Sequence, residues 1–187
     1  MAHGWNKKSF RLKEKHDGWK SRPGHAICVI DRGAIRFDYP AGWDVSVEDI
    51  QINVRDRPQP DDNCVLSVSR MHIPTELADQ LPVSELAQGA TSTEEEGELL
   101  DTKVVAPGLR ADGVELAYTE TRYIERKEKK EAFLRLAVAR GSGVYCLITF
   151  SFWAEDMAKY DPVWKEALRS LTLGVEVKDP TAGPIRN

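Results

Sequence analysis

Residues 34–43, AIRFDYPAGW, are the stretch whose reading decides the fold. Successive side chains of an extended chain alternate, so Ile35, Phe37 and Tyr39 share one face and Arg36 and Asp38 the other. Pro40 has no N–H to give to a ladder and ends the strand. Gly42 permits a bend, after which Trp43 returns to cover the sheet edge. Just upstream, residues 26–30 form a second short strand. Asp31-Arg32-Gly33 between the two reads as a hairpin connection whose glycine takes positive φ without strain. The ribbon is expected to be an early part of one covered antiparallel sheet.

Outward from the ribbon, residues 51–55 alternate with Ile52 and Val54 on one face, and 57–63 (RPQPDDN) are a loop. Residues 64–71 are a strand with Cys64, Leu66 and Val68 opposite Val65, Ser67 and Ser69. A helical turn is expected at 75–80 and a helix at 82–90, with Val83, Leu86 and Ala87 as its apolar stripe. Residues 91–98, TSTEEEGE, read as a solvated acidic stretch, and 103–106 as a short strand closed by Pro107-Gly108. A three-strand meander follows at 114–124, 132–140 and 144–152, connected by the charged run 125–131 and by Gly141-Ser142-Gly143. Asp161 is placed as N-cap and Pro162 as first residue of a last helix, with Trp164, Leu168 and Leu171 at helical spacing. Met157 and Tyr160 are assigned to a preceding turn. A sheet apolar on both faces needs cover on both. The pattern therefore predicts an α+β fold, a three-layer α/β/α sandwich with a central antiparallel sheet.

The chain has 187 residues, 41% hydrophobic and 30% charged, as one globular domain requires. Residues 26–174 are read as that domain, 1–25 as a basic N-terminal extension partly docked on it, and 175–187 as a C-terminal coil. The first 26 residues carry seven Lys or Arg against two Asp or Glu, a net +5 that leaves −9 for the rest. Such an arm suits nucleic acid, anionic lipid or the chain's own acidic body, and the last is the reading adopted. Trp5, Phe10, Leu12 and Trp19 make it too aromatic for an ordinary solvated tail. No apolar segment reaches the length of a membrane helix, and no secretory leader is evident, so a cytoplasmic location is expected. Cys28, Cys64 and Cys146 lie in strand-like runs without C-x-x-C spacing and read as reduced core residues.

AIRFDYPAGWDV resembles the opening of PsbP-like domains, an aromatic alternating strand followed by Pro-x-Gly-Trp. GVYCLITFSFWAEDMAKYDPVWKEALRSL, residues 143–171, resembles their closing strand and helix, with 144–152, Tyr160, Trp164, Leu168 and Leu171 in the matching places. The resemblance covers roughly residues 27–173 and implies an α/β/α sandwich of a bacterial, cytosolic type. It also implies a mainly non-enzymatic protein that works by binding partners. The basic arm has no counterpart in that family.

Chemistry-bearing motifs are sparse. His3, His16, His25 and His72 have no metal-ligand spacing, and no nucleophile elbow, P-loop or dinucleotide fingerprint occurs. Glu94, Glu95, Glu96, Glu98 and Asp101 lack the alternating ligands and glycine of a calcium loop. No cofactor and no metal are expected. The candidate partner-binding residues are Trp5 and Trp19 in the arm, Arg122, Tyr123 and Arg126 as a basic aromatic patch, and Tyr145. A binding module predicts an uncovered apolar patch near Tyr145, Leu147 and Phe133. The function expected is protein–protein interaction, assembly or secretion-chaperone work. The alternative is a small-ligand-binding or enzymatic domain with an unrecognised pocket. A protein partner is expected rather than nucleic acid or a membrane span, with homo-oligomerisation through the arm as a further option.

Overall fold

The computed structural model describes residues 20–48, 51–71, 82–91 and 97–175. Among them run strands β1 (His25–Ile30), β2 (Ile35–Pro40), β3 (Asp44–Glu48), β4 (Gln51–Arg55) and β5 (Cys64–Met71). Helix α1 (Val83–Ala90) follows, then β6 (Gly97–Leu109), β7 (Glu115–Glu125), β8 (Glu131–Gly141) and β9 (Val144–Trp153). Helix α2 (Met157–Ser170) and the short β10 (Thr172–Leu173) close the described chain. The strands form two antiparallel sheets, one ordered β1-β2-β10 and the other β3-β4-β5-β9-β8-β7-β6. The expected N-terminal extension, the helical turn at 75–80 and the glutamates 94–96 lie wholly or largely outside the described residues.

The register shows how alternation sorts side chains into layers. Leu66 faces Phe150, Val68 faces Ile148, and Cys146 faces Ala139. These residues point to one side, where they pack with Trp164, Tyr160, Leu168 and Leu171 of the α2 region and with Ile35 and Phe37 of the ribbon. Trp164 is 2% exposed, stacked on Phe150 at 6.2 Å and met edge-on by Tyr118 at 5.6 Å. On the other face Val83 and Ala87 of α1 cover Ala117, Leu136 and Val138. The fold is thus α+β, with a central antiparallel sheet covered on both sides.

Three expectations need correction, and one strand was not anticipated. The ribbon is not part of the large sheet: β1 occupies one edge of β2 and β10 the other, and Gly174 N–H donates to Ala34 O at 2.8 Å. With both edges used, β2 lies over the large sheet beside α2. Residues 44–48 form β3, which pairs Val45 with Val54 and Val47 with Ile52. Its polar, half-exposed sequence gives a weak strand signal. The strand expected at 103–106 runs instead from Gly97 to Leu109, with register shifts between Leu99 and Asp101 and between Val105 and Gly108. The second irregularity accommodates Pro107, which an outer strand tolerates. Finally, α2 starts at Met157 and contains Pro162. Proline there forgoes one early backbone bond, and the packing of Tyr160 and Trp164 on either side outweighs that loss. Asp161 is consequently not a cap but an ion-pair partner of Arg135 and Lys165.

Candidate functional site

Three polar clusters hold the layers together. At the C-terminal end of α2, Arg36 donates to Ser170 O and Lys20 O, both at 2.9 Å, and pairs with Asp38 at 2.5 Å. Carbonyls at a helix end lack partners within the helix, and here a buried guanidinium supplies one. Arg22 and Arg169 both pair with Glu166. The open depression of about 600 Å³ beside Lys20, Arg22, Arg36, Asp38 and Arg169 therefore has its three guanidinium groups already engaged by carboxylates.

At the start of α2, Tyr160 donates to Asp56 at 2.8 Å, while Asn63 N–H donates to the other carboxylate oxygen at 2.9 Å. Burial pushes the Asp56 carboxyl up, but these bonds and Lys159 outweigh it and hold the group below its ordinary value. Burial drives Tyr160 upward and pushes Cys28, Cys64 and Cys146 to about 12. All three thiols are buried and protonated near neutral pH, the opposite of an activated nucleophile. Beneath α2, Arg135 donates to Glu120 at 2.6 Å and to Asp161 at 2.9 Å, with Phe152 and Trp164 against its plane. Lys103 of β6 reaches the same Glu120 at 2.5 Å, so this network ties the outer strand to the core.

The residues singled out by sequence do not converge. Trp5 and Trp19 lie outside the described residues. Arg122 is half-exposed and paired with Glu131 across the β7–β8 hairpin, whereas Tyr123 is buried on the opposite face. Arg126 sits in the turn after β7. Tyr145 is buried, its hydroxyl receiving a bond from Arg140 at 3.3 Å. Phe133 and Leu147 pack against the core clusters. The uncovered patch expected around these three residues is therefore absent, because α1 and the α2-side core take up their apolar area. The recess near Tyr123, Cys64 and Trp153 is about 170 Å³, below the roughly 300–1,000 Å³ of ordinary ligand pockets.

Apolar area emerges elsewhere. Among the described residues, the exposed large hydrophobics are Leu109 (73%), Leu99 (55%), Leu100 (44%) and Val104 (44%). All four belong to β6, a 13-residue strand at the outside of the seven-stranded sheet. Leu99 faces Tyr123, Val104 faces Thr119 and Leu109 faces Glu115, so these three share the α1 side of the sheet. Thr102, opposite Thr121, lies between them on that side. Asp101 and Lys103 point to the α2 side, opposite Arg122 and Glu120. The inner edge of β6 is used by β7; its outer edge pairs with no described strand. Alternation predicted only the middle of this strand, because its apolar residues are interrupted by two irregularities and a proline.

Comparison with known proteins places this architecture. The chain is 34% identical to the protein alr1449 of Nostoc over 180 residues, 96% of this chain and 92% of that one. Among solved structures, cyanobacterial PsbP (CyanoP) from Synechocystis matches over 84% of this chain and 96% of its own, with 15% identity and a TM-score of 0.59. The Ran-binding protein Mog1p of Saccharomyces cerevisiae matches over 80% of this chain and 95% of its own, with 13% identity and a TM-score of 0.55. These two likenesses establish the fold. The Alr1449 family model matches residues 26–177, which span the ribbon, both helices and every described strand but the first residue of β1, and the chain belongs to that family.

Proposed function

We propose that this chain is a non-enzymatic binding module that holds a protein partner in an assembly or secretion-chaperone role, with β6 as its contact surface. The observation that carries the reading is the concentration of exposed large apolar side chains on one outer strand. Such a strand offers main-chain hydrogen bonds and apolar contacts together, which is how strand-addition partners are recognised. The polar clusters support the reading from the other side, since their charges are matched within the fold. A Ran-binding protein sharing this fold adds support, though its partner does not transfer. The binding body is taken as residues 26–174, with the described end of the preceding segment, 20–25, held on it through contacts such as Arg22 with Glu166.

A photo-crosslinking side chain at position 109, introduced in the native host, tests this. Lys165 on α2 serves as control, its side chain 73% exposed and therefore as accessible as Leu109. The reading expects protein adducts at position 109 well above those at 165. Equal yields, or adducts only at 165, would overturn it.

A further inference from the structure

Deepening the proposal that β6 is a protein-contact surface, and resting on it, we propose that its occupant is a second copy of this chain. The two β6 strands run antiparallel about a two-fold axis at Thr102.

The geometry restricts the choice. A two-fold axis perpendicular to a sheet makes an antiparallel strand pair and keeps each face continuous, so residues pair only with partners on their own face. The centre must then fall on a residue, and charge decides which one. Centred on Asp101 or on Lys103, the pairing sets like charge directly against like charge, which is destabilising. Centred on Thr102, Asp101 faces Lys103 of the second copy, and Lys103 faces its Asp101. Leu100 then comes opposite Val104, and Thr102 meets its own counterpart. Both Leu100 and Val104 are 44% exposed in the single chain, so this one register covers apolar area and matches charge together. Lys103 is already held by Glu120, which in turn bonds the buried Arg135, so its ammonium is oriented before association. One continuous sheet would then run through both copies, with each α1 on one side and each α2 on the other.

The test is disulfide trapping of the full chain. Facing Cα atoms at the axis lie about 4.5–5.5 Å apart, inside the roughly 4.4–6.8 Å that a disulfide spans. Position 104 lies four residues from its own copy along the partner strand, about 13 Å away. Cys28, Cys64 and Cys146 are buried and provide little background. Under mild oxidation Thr102→Cys is expected to form a covalent two-chain species at least about tenfold faster than Val104→Cys. Circular dichroism of the reduced variants confirms that both fold. Equal rates, faster trapping at position 104, or no trapping by either variant would overturn the proposal. If position 109 meanwhile crosslinks to a different protein, or to residues 1–19 of its own chain, β6 remains a contact surface but the self-pairing assignment fails.

Discussion

Among the described residues, β3 stands at one side of the seven-stranded sheet with five residues, and β6 at the other with thirteen. The short strand is guarded by charge. Arg55, buried behind it, donates to Ser46 at 2.6 Å and to Glu48 at 3.0 Å and pairs with Asp62 at 3.4 Å. Asp44, Ser46 and Glu48 alternate along one of its faces, a charged pattern that discourages the addition of a further strand. β6 has the same backbone hazard and the opposite treatment. Its α1-side face carries Leu99, Val104 and Leu109 without a charge, while Asp101 and Lys103 on the other face are spaced to match a copy of themselves. One edge is built to refuse a partner and the other to take one.

The largest effect comes from removing what both edges rest on. Trp164→Ala should cost about 3–5 kcal/mol, read as a lowered denaturant midpoint with faster amide exchange at both edges. A loss confined to one edge would mean the sheet does not share one core. Next in size is a charge exchange felt only at β6. Lys103→Asp and Asp101→Lys should each weaken self-association by about tenfold or more, and an equimolar mixture of the two should restore it. In the mixed pair every facing charge is opposite, whereas each variant alone meets itself. Sedimentation of the separate and mixed variants decides the matter; weakening without recovery on mixing would place the charges elsewhere.

At the guarded side, acid is the lever. Bonds from Asn53 and Arg55 pull Glu48 below its ordinary value, and at Asp56 the bonds from Asn63, Tyr160 and Lys159 overcome the upward push of burial. A carboxyl lowered in the folded state stabilises above its unfolded value of about 3.9–4.3, and that contribution fades as pH falls further. Melting temperature should therefore drop between about pH 5 and pH 3, and Asp56→Asn should flatten the drop. An unchanged slope in the variant would remove Asp56 from the account. The smallest effect is expected from Leu109→Ser, within about 0.5 kcal/mol of the parent in chemical denaturation because the side chain is exposed. It should nevertheless lower crosslinking along β6.

The meander from β7 to β9 and the first hairpin were legible because tight turns and strict alternation state them locally. The core helix α2 was legible through Tyr160, Trp164 and Leu168, although Pro162 misplaced its start, since one lost backbone bond is small beside the burial of two large aromatic rings. What alternation cannot state is which strand edges are free. AIRFDYPAGW announces a strand, but nothing within it says that β1 and β10 occupy both edges and exclude it from the large sheet. The site was less visible still. Tyr123 and Tyr145 looked like recognition residues and are buried, because aromatic residues on strands serve packing first. Val104 falls in the short strand expected at 103–106, while Leu99 and Leu100 just before it are assigned to no element. Only the strand order puts them outside.

Amide hydrogen exchange of the full chain at low and high protein concentration tests the difference between the edges most directly. Peptides covering 97–109 should gain protection as concentration rises, while those covering 44–48 exchange at the same rate throughout. Identical exchange of 97–109 at both concentrations, or a matching gain at 44–48, would contradict the assignment of β6 as the edge that takes a second copy.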